Sequence, residues 1–186
     1  MKLILYFSFF FFLTELLIAL KKYRFQSDNI TRKDRLSLLI FWLFIPLGIT
    51  AAFMTASYET WQLTEMIRAV IGVVIALSGL LIRWIAIRQL QKQFTVNVVL
   101  VDAPQLITSG LYQYVRHPAY LGLWLFAFGL GLAMNSWVSL LIIVTAFTLA
   151  IYYRIYIEES LLQKAFGTSY GIYRKQTPKL FPFYRF

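Results

Sequence analysis

Five apolar runs constrain this chain more than anything else in it. A helix crossing ~30 Å of hydrocarbon needs roughly 20 mostly apolar residues. Runs approaching that length fall at about Leu3–Leu20, Leu36–Phe53, Ile67–Ile87, Ala119–Ala133 and Trp137–Tyr156. The chain is 60% hydrophobic and only 14% charged, against about 25% charged in ordinary soluble domains. The pattern predicts an all-α, polytopic membrane protein with about five transmembrane helices. It forms a single domain over residues 1–186, with residues 1–100 carrying the first three spans. Only Met134, Asn135 and Ser136 separate the last two runs, which predicts a tight helical hairpin. The first run begins like a signal peptide. It has no clear small-residue cleavage site, so it reads as an uncleaved span.

Basic residues set the orientation. Lys21, Lys22, Arg24, Arg32, Lys33 and Arg35 follow the first run. Arg88, Lys92 and Arg116 follow the third, and Lys164, Arg174, Lys175, Lys179 and Arg185 follow the fifth. Arg83 and Arg154 lie near the span ends that enter these regions. Of the 18 basic residues, only Lys2 and Arg68 fall on the other side. The positive-inside rule then places the N-terminus outside and the C-terminus in the cytoplasm, as an odd number of spans requires.

Some chemistries are excluded. There is no cysteine, hence no disulfide, thiolate site or thiol nucleophile. His117 is the only histidine, so a multi-histidine metal centre is impossible and no metal is expected. The net charge of +10 on so apolar a chain points to anionic membrane lipids rather than to nucleic acid.

Two ionisable residues lie within spans: Glu15 in the first and Arg83 in the third. A lone charge in lipid costs ~3 kcal/mol or more. Either each side chain snorkels to the interface, or the two pair between helices at similar depth.

Two clusters near the expected cytoplasmic face carry the chemistry. Gln105-Leu-Ile-Thr-Ser-Gly-Leu-Tyr112 is turn-forming, and Gly110 can adopt φ > 0 there. Arg116-His-Pro-Ala-Tyr-Leu-Gly122 follows. Pro118 suits the first turn of a helix, and it holds His117 extended just outside. The positive end of that helix suits an anion such as a carboxylate. Arg154 and Glu158, four residues apart, share a helix face, while Glu159 points elsewhere. Taken alone, the first cluster reads as topology and the second as an interfacial ion pair. Gly167 is a candidate helix stop. The tail holds Pro178, Phe181, Pro182 and Phe183. It is expected to anchor at the membrane face or to cover a pocket.

These segments resemble the isoprenylcysteine carboxyl methyltransferase family and, more loosely, the membrane phospholipid methyltransferases. The resemblance rests on Leu106–Tyr112, Arg116–Gly122, Arg154 with Glu158-Glu159, and Phe166-Gly-Thr-Ser-Tyr170 ahead of Tyr173 and Pro178. It covers about the last 80 residues; spans one to three resemble the family mainly in being spans. Pro104 departs from a position the family often makes polar.

The resemblance implies an S-adenosylmethionine-dependent integral membrane methyltransferase, releasing S-adenosylhomocysteine. The cofactor-binding part is residues 101–186, and a cytoplasmic C-terminal helix and tail cover the cofactor pocket. By the family pattern the cofactor meets Gln105, Leu106, Ile107 and Tyr112, then His117, Pro118, Ala119 and Tyr120, with Glu158 holding one of its polar groups. Arg154 faces the acceptor, and Arg154 and Glu158 are the catalytic pair. The favoured reaction is carboxyl O-methylation of a prenylated or other lipid-like acceptor entering from the bilayer. The alternatives are N-methylation of a phospholipid, or a non-catalytic transporter or assembly protein on the same scaffold.

Overall fold

A computed structural model describes residue 13 and residues 45–56, 63–90 and 106–182. Among the described residues the regular structure is helical: α1 (Ile45–Met54), α2 (Leu63–Leu90), a 3-10 turn (Gly110–Gln113), α3 (Pro118–Ala133) and α4 (Trp137–Gln176). Two helices are long and apolar enough to cross a membrane, Thr64–Leu90 and Trp137–Gln176. Ile45–Met54 and Pro118–Ala133 are shorter apolar helices. The expected first span, apart from Leu13, and the start of the second lie outside the described residues.

α2 is built inside out relative to a helix of a water-soluble protein. Many of its large side chains face outward: Met66, Ile67, Val70, Val74, Leu77 and Leu81 are all exposed. Its inward face is rich in small residues, with Ala69, Ala76 and Ala86 buried beside Leu80 and Arg83. Glu65 in the first turn and Arg88 in the last suit the helix dipole. Small inward residues let backbones approach closely, which is how helices gain contact energy in lipid. The α2–α3 pairing, the most extensive among the described elements, uses that approach. A methyl placed on Gly79 would lie 2.5 Å from the Gly122 carbonyl oxygen, and one on Gly72 would lie 2.6 Å from that of Gly129. Gly122 and Gly129 return the contact to the Gly79 and Gly72 carbonyls.

Met134, Asn135 and Ser136 connect α3 to α4. Asn135 takes φ 60, and Ser136 caps α4 by accepting from the Ser139 amide at 3.2 Å. Phe126 of α3 and Phe147 of α4 meet with ring centroids 6.5 Å apart. α1 leans on the start of α4, where the fully buried Ser139 donates to the Ala52 carbonyl at 2.8 Å.

Two local expectations change. The helix path does not end at Gly167. It breaks there, with φ 51 and ψ −121, and then resumes to Gln176. Gln163 Nε2 donates to the Gly167 carbonyl at 2.9 Å, occupying an acceptor freed by the break. His117 is not extended either. At the N-cap it has φ −126 and ψ 61, bent because its N–H donates to Lys179 O at 3.2 Å while its own carbonyl accepts from Leu121 N.

Candidate functional site

The polar residues meet where the C-terminal end of α2, the loop ahead of α3 and the far part of α4 converge. Gly110 makes the entry possible. It takes φ 65, and an added methyl there would strike the Gln89 side chain. Gln89 Oε1 accepts from the Leu111 amide at 2.9 Å. Tyr112 is buried beneath this turn, packed with Ile107, Ala86 and Ala119. Its hydroxyl donates to Ala86 O at 3.4 Å, and its carbonyl accepts from the Tyr173 hydroxyl at 2.6 Å. Burial pushes the Tyr112 phenol well above its ordinary value, and the nearby Glu158 adds to the rise.

The centre of the cluster is Glu159, which lies past the apolar stretch of α4 that ends near Tyr156. Arg116 donates to its Oε1 from Nε at 3.1 Å and from Nη2 at 2.8 Å. His117 Nε2 lies 3.4 Å from the same oxygen, and Lys179 Nζ lies 3.5 Å from Oε2. Burial alone would raise this carboxyl's pKa. Hydrogen bonds from His117 and Arg116 outweigh it and hold Glu159 at about 2.

Arg116 does more than neutralise Glu159. Its Nη1 donates to the Arg174 carbonyl at 2.8 Å and also to that of Thr177. It therefore caps the last carbonyls of α4, where a cation suits the dipole. Two backbone bonds complete the clasp, Arg116 N to Pro178 O at 2.9 Å and His117 N to Lys179 O at 3.2 Å. Phe181 then packs edge-on against Trp124 of α3, with centroids 5.2 Å apart. These bonds commit the amides of Arg116 and His117 to the tail, so those two groups are not left to meet an anion.

The residues singled out from the sequence divide as follows. Tyr120 lies near enough to both Arg154 and Glu158 for each to act electrostatically on its phenol. Arg154 is 5% exposed, whereas the Glu158 side chain is 30% exposed with an oxygen 4.0 Å from His117 Nδ1. His117 thus has a carboxylate at each ring nitrogen. Pro118 and Ala119 are buried at the start of α3. Leu106 and Ile107 are half-buried beside the 3-10 turn. Gln105 lies outside the described residues, as does Glu15. Arg83 is buried, and its Nη1 donates to the Ala119 carbonyl at 3.3 Å, below the α3 entry.

Arg116, Glu159, Tyr173 and Lys179 went unassigned in the sequence. A signal for Glu159 was present: it continues the four-residue stripe Ile151, Ile155, both buried. Arg116, adjacent to His117, carried no comparable periodic signal.

A family model for phospholipid methyltransferases matches residues 67–169. The chain belongs to the phospholipid methyltransferase family. Among curated proteins it is 39% identical to a protein-S-isoprenylcysteine O-methyltransferase of Schizosaccharomyces pombe, over 41% of this chain and 33% of that protein. It is 29% identical to a methanethiol S-methyltransferase of Crocosphaera subtropica, over 78% of this chain and 56% of the relative. The chain spans between a third and three fifths of the length of these relatives. The solved structure of the eukaryotic intramembrane Ras methyltransferase, an isoprenylcysteine carboxyl methyltransferase, superposes with a TM-score of 0.59 at 24% identity. That match covers 80% of this chain and 52% of the other, and it shows a shared fold. Together with its apolar helices, these likenesses make the chain a helical membrane protein.

Proposed function

We propose that this protein is an S-adenosylmethionine-dependent integral membrane methyltransferase acting on the carboxylate of a prenylated cysteine or another lipid-like acceptor. The observation that carries the reading is the gathering of Tyr120, Arg154 and Glu158 beside His117. It brings a buried cation and a partly exposed carboxylate together at the polar end of an apolar bundle, in a chain of a methyltransferase family. The topology is one domain of five spans, with the N-terminus outside and the C-terminus and site cytoplasmic. Its support is the one-sided distribution of basic residues.

The residues present suit the cofactor's chemistry. S-adenosylmethionine carries a methyl group activated on a sulfonium, with an ammonium and ribose hydroxyls that need acceptors. Glu158 supplies a carboxylate that is partly open to solvent. Leu106, Ile107, Tyr112 and the His117–Tyr120 entry of α3 supply the walls, and Gln105 precedes them in sequence. Arg154 is a planar cation suited to hold one oxygen of a carboxylate acceptor. That acceptor is already ionised near neutral pH, so the reaction needs no base. An O–CH3 bond forms, the S–CH3 bond breaks, and no proton moves. Catalysis is then positioning and exclusion of water. The Arg116–Glu159 clasp serves both by holding the tail over the α3 entry.

A second reading has a specific observation behind it. The methanethiol S-methyltransferase relative aligns in sequence over 78% of this chain, against 41% for the Schizosaccharomyces pombe relative, which favours a small thiol acceptor. One experiment separates the readings. Protein in lipid is incubated with methyl-labelled cofactor and membrane extract, and the product is treated with base. A carboxyl ester releases labelled methanol; a thioether or an N-methyl product does not. Glu158→Ala is expected to weaken S-adenosylhomocysteine binding by about tenfold or more. Absence of any such binding by the wild-type protein would leave a non-catalytic scaffold.

A further inference from the structure

At the other end of the bundle, the α3–α4 turn forms a hollow of mixed polar and apolar lining that the proposed methyl transfer does not use. Arg68, Asn135, Ser136 and Trp137 are among its lining residues, and its enclosed part is about 20 Å³. That is room for one water-sized oxygen group, and the rest opens to the surface. Asn135 presents the unusual chemistry. Its Nδ2 and Oδ1 are both buried and neither has a hydrogen-bond partner among the described residues. An unpaired buried polar group is costly, so the amide calls for an outside acceptor at Nδ2 and an outside donor at Oδ1. Ser136 is already engaged, accepting from Ser139 N.

Charge and surface narrow the partner. The Arg68 guanidinium approaches Glu65 only to 3.9 Å, and its side chain is 42% exposed. The start of α4 adds the positive end of a long helix. Around the hollow both helices present exposed apolar side chains: Met66, Ile67 and Val70 on α2, and Trp137, Val138 and Leu141 on α4. A matching ligand has an anionic acceptor, a nearby donor and an apolar body.

We infer that this hollow binds a phospholipid headgroup, with its phosphate toward Arg68 and one headgroup hydroxyl in the enclosed space, accepting from Asn135 Nδ2 and donating to Asn135 Oδ1. The acyl chains lie along the apolar faces beside it. Fifteen residues of helix separate Arg68 from Arg83, roughly 22 Å at 1.5 Å per residue. The site is therefore separate from the methyl-transfer centre and does not depend on that reading.

The test uses the full chain in mild detergent, as wild type, Arg68→Ala and Asn135→Gly. Glycine accepts the positive φ at position 135, so the second variant deletes the amide while sparing the turn. Native mass spectrometry reads retained phospholipid. Thermal unfolding reads the response to added phosphatidylglycerol, phosphatidylethanolamine or inorganic phosphate. The wild type is expected to retain a phospholipid and to be stabilised by at least one of the two lipids, with no response to inorganic phosphate. Each variant is expected to bind that lipid about tenfold more weakly. Equal retention by wild type and Asn135→Gly would overturn the assignment. So would a wild type that retains no lipid, or an equal response to inorganic phosphate, which would mark a free-anion site.

Discussion

The two ends of the α3–α4 unit treat buried charge and buried amide differently, although the Tyr170 hydroxyl near the clasp also has no hydrogen-bond partner among the described residues. At the clasp end, one Glu159 carboxylate is met by Arg116, His117 and Lys179, and the Arg116 guanidinium satisfies two further carbonyls. At the turn end, neither polar atom of Asn135 has a partner among the described residues. The first end is closed by the chain's own tail, and at the second the buried amide borders a hollow that opens to the surface. Closure by a tail suits a centre that must exclude water during chemistry. An unpartnered amide beside a cation and exposed apolar side chains suits a surface that meets lipid.

The largest break in this contrast is expected from Arg116→Leu. It leaves Glu159 with one strong partner fewer in a buried setting, and it frees the carbonyls of Arg174 and Thr177. Removing one member of a buried pair costs on the order of 3–5 kcal/mol. Thermal unfolding in detergent should show a correspondingly large drop, together with loss of cofactor binding. Lipid retention at the turn end should survive wherever the variant stays folded. A variant with wild-type stability would show that the clasp contributes nothing.

A smaller effect sharpens the contrast along the helix seam. Gly79 packs on Gly122 near the clasp, and Gly72 packs on Gly129 near the turn. In each case an added methyl meets backbone, so the helices must separate, at about 1–3 kcal/mol. Gly79→Ala is expected to weaken cofactor binding more than lipid retention, and Gly72→Ala the reverse. Identical profiles for the two variants would mean that the seam transmits strain along its whole length.

The smallest expected effect is on acid stability. Glu159 is held at about 2 when folded, against an ordinary 4.5. Its contribution is therefore complete above about pH 4.5 and is lost as pH falls toward 2. At pH 3.5 the loss is about 1 kcal/mol relative to neutral pH. Glu159→Gln should unfold more easily at neutral pH and show a flatter acid limb. An unchanged acid limb would place the sensitivity in other groups.

Much of the site was legible because its parts are local. Pro118 at N1 of α3, Gly110 at positive φ and the shared face of Arg154 and Glu158 each follow from neighbours a few residues away. Glu159 was harder. Spacing set it off the Arg154–Glu158 face but not toward any partner, since Arg116 lies 43 residues earlier. Gly167 was half legible: a glycine marks a place where a helix can break, but only the flanking packing decides whether it resumes.

By itself the sequence determined the helical, membrane-embedded character, because backbone groups in lipid must be satisfied within a helix or a closed barrel, and long apolar runs with few charges satisfy them as helices. It also carries basic residues clustered between and after its apolar runs. Tertiary structure alone decided which charges pair. Arg116, counted in the sequence as one more basic residue of a loop, became the buried residue that closes the tail over α3. The physical reason is that a charge's role in a low-dielectric interior depends on what lies within a few ångströms of it, and those neighbours come from segments far apart in the chain.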